Sequence, residues 1–230
     1  MRKSLSRRTG RTERSATPVM IEGLEDRRMM SVTVTASSID VVEGKNTKEP
    51  VATFVSSDPA PQNRDNYAAS INWGDGTTSA GRVKADEKHP GDYIVMGHHR
   101  YAEAGNFNVT VSVHDFVDST DAQSAGSATV TDAPLKANGK HVESTAGTAF
   151  TKMLASFHDE NHLSTASDFT ATVDWGDGSA PEAGTIVANG DSSFRVVGTH
   201  AYATTGSYVM TITITDAEGS SVTVKSAGMA

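Results

Sequence analysis

The chain has 230 residues, 6% of them aromatic and none of them cysteine, which excludes disulfides and thiolate metal sites. Residues 1–30 carry eight Lys and Arg against four acidic residues, so the remainder of the chain is strongly acidic. An acidic folded part argues against nucleic-acid binding, because phosphate contacts need clustered Lys and Arg. No run of about 18 apolar residues is present, so no transmembrane segment is predicted.

Residues 1–31 are predicted to form a basic export or leader segment. An ordinary signal peptide would have a run of ~7 to 15 apolar residues after the charges, and this segment has no such run. Residues 21–31 resemble the LEPR-XLL type of segment that heads large surface or secreted proteins of planctomycete bacteria. Asp26 stands in place of its proline, and Met29 and Met30 stand in place of its leucines. The resemblance implies export. The alternatives are a frayed terminus, a short capping helix, or a basic segment that binds nucleic acid or anionic lipid.

Alternation of apolar and polar residues then predicts seven short strands in each of two successive units. The first unit has strands near 31–42, 50–55, 67–73, 78–85, 92–101, 107–115 and 124–131. The second has strands near 135–143, 149–157, 168–175, 183–188, 193–202, 207–216 and 221–226. About seven strands per 100 residues, separated by turn residues, predict an all-β fold of two-sheet antiparallel sandwiches.

The second unit repeats the landmarks of the first at nearly the same offset. Trp73-Gly74-Asp75-Gly76 returns 102 residues later as Trp175-Gly176-Asp177-Gly178. His99, Tyr101 and Gly105 return 101 residues later as His200, Tyr202 and Gly206. Two landmarks at matched spacing indicate a duplicated domain. The predicted domains are residues 32–132 and 133–226.

These motif residues are predicted to be structural, each with the same role as its counterpart in the second repeat. Trp73 shares a strand face with apolar neighbours and is expected in the core. Asp75 and Gly76 form a hairpin signal in which the glycine adopts positive φ, with metal ligation as the alternative role of the aspartate. His99 is expected to pack beside Tyr101 and to make a backbone hydrogen bond.

Together the motifs resemble the PKD repeat, an immunoglobulin-like sandwich named from polycystic kidney disease proteins and common in bacterial surface proteins. The resemblance covers residues 32–226, nearly everything after the leader. It implies tandem extracellular modules that space, present or bind other molecules. Arg100, where the family usually has threonine, is expected at an exposed position.

Two further polar clusters are candidates for chemistry. His158 and His162 have the spacing of a helical zinc-protease motif, but Asp159 replaces the glutamate of that motif and the segment leaves a strand, so a solvated loop is predicted. Of the two alternatives to a solvated loop, adventitious binding of a transition metal is favoured over a catalytic zinc site. No cofactor is predicted. The alternative is a calcium site with oxygen ligands, because several acidic residues lie near loops. They are Asp58, Asp159, Glu160, Asp174 and Asp177.

The sequence therefore predicts a non-enzymatic, exported, monomeric chain without catalytic or metal-binding residues. Its two domains would act as a spacer or as an adhesion unit that binds a cell-surface protein or polysaccharide. Pro134, which fixes φ, predicts a short and stiff junction between them. The alternatives are accessory modules of a secreted hydrolase whose catalytic domain is absent from this chain, or an intracellular protein with a basic head.

Overall fold

Strands account for nearly all the regular structure of both repeats. The computed structural model describes residues 31–57 and 63–230. Within these residues the helical structure consists of two short 3-10 segments, Arg64–Asn66 and Ala166–Asp168. The LEPR-XLL-like run up to residue 30 and the predicted calcium ligand Asp58 lie outside the described residues.

The first domain contains the strands that the alternation predicts, with one of them divided. They are β1 (Val32–Ala36), β2 (Ile39–Val42), β3 (Thr47–Ser56), β4 (Tyr67–Asn72), β5 (Thr78–Ala85), β6 (Asp92–His99), β7 (Gly105–Asp115) and β8 (Thr120–Thr131).

The second domain repeats this series. Its strands are β9 (Leu135–Gly139), β10 (Val142–Glu143), β11 (Phe150–Asp159), β12 (Phe169–Asp174), β13 (Glu182–Gly190), β14 (Ser193–His200), β15 (Ser207–Asp216) and β16 (Ser221–Met229).

Each domain is a curled eight-stranded sheet that folds over to form a sandwich. The strand orders are β1-β3-β6-β5-β4-β7-β8-β2 and β10-β16-β15-β12-β13-β14-β11-β9. β5 joins the two layers because its first residues pair with β4 and its last residues pair with β6. β13 joins β12 and β14 in the same way. The prediction of two tandem all-β sandwiches is confirmed.

The first predicted strand of each domain is wrong in one respect, because it is broken and changes layer. β1 pairs antiparallel with β3, whereas β2 pairs parallel with β8. β9 and β10 repeat the switch against β11 and β16. Each sandwich is therefore antiparallel except for one parallel pair. Alternation along the sequence does not reveal this, since both halves of the strand keep one face toward the same core.

Some predicted strand ends also differ from the observed ones. β8 begins at Thr120 instead of residue 124, and β16 continues to Met229 instead of ending at 226. The first half of β8 contains no buried residue, so no apolar alternation marks it. The end of β16 is defined by its pairing with β15, in which Met229 lies opposite Ser207.

The two tryptophans lie in two separate cores. Trp73 and Trp175 are 0% and 1% exposed. Alternate residues of β7 and β15 complete these cores, and the buried ones include Val109, Val111, Val113, Met210, Ile212 and Ile214. The core clusters of the two domains share no residue. Each repeat therefore buries its own apolar surface, which is the main stabilising contribution to a domain.

The junction between the domains is short and is held by polar contacts. Ala133 is fully buried, and its N–H donates to Glu43 Oε1 at 3.2 Å. Asp132 Oδ2 accepts from the Ser220 N–H at 2.7 Å. Asn161 of the second domain donates from Nδ2 to the Ala102 carbonyl of the first at 2.7 Å. The linker is thus tied to both domains within a few residues.

Candidate functional site

The Trp-Gly-Asp-Gly and His-x-Tyr motifs meet in each domain as one aromatic cluster. Trp73 stacks on His99 with ring centroids 4.6 Å apart, and His99 meets Tyr101 edge-on at 4.5 Å. In the second domain the Trp175–His200 stack measures 4.4 Å. β4 and β6 bring these rings together, because the motif Trp directly follows β4 and the motif His ends β6. The predicted packing of histidine beside tyrosine is confirmed.

The predicted backbone hydrogen bond of each histidine is wrong. His99 Nε2 lies 2.7 Å from Asp75 Oδ2, and His200 Nε2 lies 2.9 Å from Asp177 Oδ2. The reason is the hairpin turn, which places the aspartate over the end of the neighbouring strand. The shared position of Asp and His in both repeats was the signal for this pair, since both residues are present at both copies.

Each motif aspartate also closes its own turn. Asp75 Oδ1 accepts from the Thr77 N–H at 3.0 Å and from Thr77 Oγ1 at 2.7 Å. Asp177 Oδ1 makes the same two bonds with Ser179, at 3.0 and 2.6 Å. Both oxygens of each carboxylate are therefore used in holding the hairpin.

These hydrogen bonds shift the acidity of the two carboxyl groups. Hydrogen bonds from Ser179, followed by the contact with His200, lower the pKa of Asp177 from 3.8 to about 2. For Asp75, burial alone would raise the pKa, but the Thr77 and His99 hydrogen bonds overcome burial and lower it. Both groups are held as carboxylates by donors.

The motif tyrosines fasten the loop that follows each tryptophan. Tyr101 donates from its hydroxyl to the Trp73 carbonyl at 3.1 Å, and Tyr202 donates to the Trp175 carbonyl at 3.2 Å. Burial raises the pKa of both tyrosines to about 12, with the nearby motif aspartate adding to the effect. The hydroxyl therefore stays protonated and keeps donating.

The motif glycines allow a close backbone approach. A Cβ on Gly74 would lie 2.5 Å from the Asn108 carbonyl oxygen, and one on Gly176 would lie 2.4 Å from that of Val209. Gly76 and Gly178 have φ of 90° and 87°, so the predicted positive φ is confirmed. The remaining two motif glycines lie at the start of the next strand, Gly105 as the first residue of β7 and Gly206 just before β15.

Sequence reasoning missed the importance of Gly97 and Gly198. A Cβ on Gly97 would lie 2.4 Å from the Trp73 ring, and one on Gly198 would lie 2.9 Å from the Trp175 ring. Both glycines stand two residues before the motif histidine, and their recurrence at the repeat offset was the available signal.

Two surface predictions need correction. Arg100 is half-buried, not exposed, because β6 ends at His99 and the following residue leaves the alternating pattern. The His158 to His162 loop is not simply solvated, since Asp159 and Asn161 are 1% and 3% exposed.

The predicted calcium ligands in the described residues do not come together. Asp174 is the last residue of β12, and it accepts from the Gly176 N–H at 2.9 Å. Glu160 is engaged by Lys136 at 2.5 Å. Across residues 31–57 and 63–230, no three His, Cys, Asp or Glu side chains surround a common point as ligands of one metal ion.

Comparisons with known proteins identify no family for this chain. No protein-family model matches the chain, and no curated protein matches it. A solved structure of titin tandem immunoglobulin domains is 11% identical over 87% of this chain and 95% of that one, with a TM-score of 0.37. A PKD domain of an M14-like peptidase from a Thermoplasmatales archaeon is 25% identical over 45% of this chain and 91% of that one, with a TM-score of 0.25.

An endo-fucoidan hydrolase of glycoside hydrolase family 107 is 14% identical over 90% of this chain, with a TM-score of 0.35. The chain spans 30% of the length of that hydrolase. The assignment of two immunoglobulin-like sandwiches therefore rests on the strand pairing itself. In the part of the chain that the structure describes, no helix is long and apolar enough to cross a membrane.

Proposed function

We propose that this chain is a non-catalytic, extracellular pair of PKD-type domains that act as a stiff spacer, and that it binds a protein or polysaccharide at a cell surface. The observation that carries the proposal is the junction. Its linker is anchored to the first domain through Glu43 and to the second through Ser220. Contacts on both sides oppose the free rotation that a Gly/Ser linker would allow.

The non-catalytic part of the proposal is supported by the motif geometry. An Asp–His pair is a common catalytic arrangement, but here the ring of His99 is covered by the face of Trp73 and the edge of Tyr101. The side chain of His99 is only 12% exposed. Most of the imidazole ring is therefore closed to a substrate.

Export and adhesion are finer parts of the same proposal. The LEPR-XLL-like leader supports export by resemblance. Phe116 and Val117 at the β7–β8 turn are 60% and 56% exposed, which supports an adhesive contact at that end of the first domain. The rival proposal is an accessory role beside a hydrolase catalytic domain, and the length of the complete gene product would separate the two.

Small-angle X-ray scattering on the full chain tests the spacer role. We expect an elongated two-lobed profile, because a linker anchored to both domains should hold them end to end. Pro134→Gly removes the φ restraint at an exposed linker position and serves as the comparison, with a broader distance distribution expected. One compact globule in the wild-type profile would contradict the spacer proposal. A glycan and surface-protein binding screen, with Phe116→Ala beside the wild type, then tests adhesion.

A further inference from the structure

Four acidic side chains gather at the junction between the two domains. Glu43 follows β2 and Asp132 lies in the linker, whereas Asp159 ends β11 and Asp216 ends β15. Glu43 and Asp159 are each 1% exposed and Asp216 is 5% exposed. Carboxylates are rarely buried without a partner that compensates their charge.

No basic side chain within the described residues forms an ion pair with this group. Lys45, two residues after Glu43, and Lys136, four residues after Asp132, both pair with Glu160, at 3.5 and 2.5 Å. None of the ion pairs formed within residues 31–57 and 63–230 includes Glu43, Asp132, Asp159 or Asp216. The positive charge that these buried acids require is therefore not supplied by the domains.

Backbone donors satisfy only part of the cluster. Glu43 Oε1 and Asp132 Oδ2 accept the two linker hydrogen bonds described above, but Glu43 Oε2 and Asp132 Oδ1 are buried without any hydrogen-bond partner. The amide of Asn161 lies beside Glu43 as a weak neutral donor, and its Nδ2 makes a shorter hydrogen bond to the Ala102 carbonyl at 2.7 Å. An unpartnered carboxylate oxygen on a side chain as buried as Glu43 is the kind of acceptor that a bound cation satisfies.

The carboxylates are also connected through neighbouring residues. Asp159 accepts from the Asn161 N–H, and Asn161 lies against Gly44, the residue that follows Glu43. Asp132 accepts from the Ser220 N–H, and the Ser220 carbonyl accepts from the Asp216 N–H at 2.8 Å. Groups from both domains and from the linker thus belong to one cluster.

The fold itself does not require these acids. Gly44 and Gly147 occupy equivalent positions, since their N–H groups donate to the equivalent Tyr101 and Tyr202 carbonyls, so the counterpart of Glu43 is Ala146. Ala146 lies at the end of the second domain that is turned away from the junction.

The same holds for the acid on β11. Asp159 pairs with Leu135 on β9. In the first domain the equivalent pair is Ser56 with Val32 on β1, so the counterpart of Asp159 is a serine. Glu43 and Asp159 therefore occur only on the ends of the domains that meet. Asp216, in contrast, is repeated as Asp115.

We propose that a divalent cation, calcium by its chemistry, binds between the two domains at Glu43, Asp132, Asp159 and Asp216. Donors that are all oxygen, and no nearby thiolate, select a hard cation, and calcium accepts six to eight oxygens in a flexible geometry. The carboxylates do not surround one point here, because each is held by a backbone or hydroxyl donor. The cation draws them together and links the two domains through ligands from both.

Isothermal titration calorimetry of the chelator-treated full chain with calcium chloride tests the site. We expect one binding event per chain with a Kd of ~10⁻⁴ to 10⁻³ M, the range of extracellular calcium modules. The melting temperature should rise with calcium concentration, because the cation binds only the folded junction. Magnesium chloride should bind more weakly, since magnesium demands a near-ideal octahedron.

Glu43→Gln and Asp159→Asn distinguish ligation from a purely structural role. Each should weaken calcium binding at least ~10-fold. In chelator each should melt at or above the wild-type temperature, because it removes a buried charge. Asp115→Asn is the matched control, because it changes the buried counterpart of Asp216 away from the junction and should leave calcium binding unchanged.

An absence of binding heat together with an unchanged melting temperature in millimolar calcium would overturn the proposal. Calcium binding that persists at wild-type strength in both variants would overturn it as well, since the site would then lie elsewhere. The cation site does not depend on the spacer role, which scattering measures separately.

Discussion

Each motif aspartate joins a hairpin to the core of its domain through two different oxygens. In the second domain Oδ1 of Asp177 holds Ser179, while Oδ2 contacts His200, whose ring lies flat on Trp175. The turn, the end of β14 and the core are thereby connected through one side chain. Removal of the negative charge weakens all three contacts together.

Acid should destabilise the second domain through Asp177. Its pKa is lowered from 3.8 to about 2, so the unfolded state binds a proton before the folded state does. The contribution of this carboxylate to stability is fully present above about pH 4 and is lost as the pH falls toward ~2. Urea unfolding across this range should show the loss in the wild type and a flatter profile in Asp177→Asn.

Asp174→Asn is the matched control for this experiment. Asp174 accepts from the Gly176 N–H, and the first repeat has Asn72 making the same bond to Gly74, so asparagine is known to fit. The control should retain the wild-type acid profile. An equal flattening in both variants would contradict the role assigned to Asp177.

The core role of each tryptophan could be predicted from the sequence, whereas the partner of each histidine could not. Strand parity places Trp73 with Ile71 on the inner face, and both are fully buried. The contact between His99 and Asp75 joins residues 24 positions apart. It depends on the position of the β4–β5 hairpin relative to the end of β6, which is a property of the folded sheet.

At the scale of elements, the hairpin between β4 and β5 depends on its glycine. Gly76 has φ of 90°, and a Cβ there would meet no atom within 4 Å. Gly76→Ala should therefore lower the free energy of unfolding by ~1 to 2 kcal/mol through backbone strain alone. Urea unfolding measures the change.

Gly206→Ala provides the comparison for this hairpin variant. Gly206 is not at positive φ, and an added Cβ would lie 3.5 Å from Tyr208, an ordinary contact. This change should leave stability nearly the same. A negligible effect of Gly76→Ala would remove the strain argument for the turn.

The elements with strong alternation could be predicted closely, and those that change layer could not. β7 ends at the predicted Asp115, because Val109, Val111 and Val113 mark its inner face without interruption up to that residue. The break between β1 and β2 lies at Ser37 and Ser38, and the Ser37 N–H bonds to the Val51 carbonyl at 2.8 Å. A polar pair inside a run of alternating residues was the signal, but it could equally have indicated an exposed strand position.

At the scale of the whole molecule, the junction acids could not be predicted to act together. Glu43 and Asp159 are far apart in sequence and belong to different repeats. Only the arrangement of the two domains brings them to one place. The duplication itself could be predicted, because the landmarks recur at one offset, and it leads to a test of how independently the domains fold.

Trp175→Ala should unfold the second domain and leave the first domain folded. The two cores share no residue, so the loss of a buried indole, ~3 to 5 kcal/mol, falls on one core alone. The chain has two tryptophans, one in each core, so fluorescence of this variant reports the first domain through Trp73. Thermal unfolding followed by circular dichroism reports both domains.

The expected result is a fluorescence transition close to that of the wild-type first domain and a dichroism transition that is split, with the earlier step moved to lower temperature. Trp73→Ala is the reciprocal control, in which Trp175 reports the intact second domain. Loss of the polar contacts at the junction should then change the melting temperature of the reporting domain only slightly. If the reporting tryptophan melted together with the damaged domain in both variants, the two sandwiches would form one cooperative unit, and the junction would carry far more stability than its few hydrogen bonds suggest.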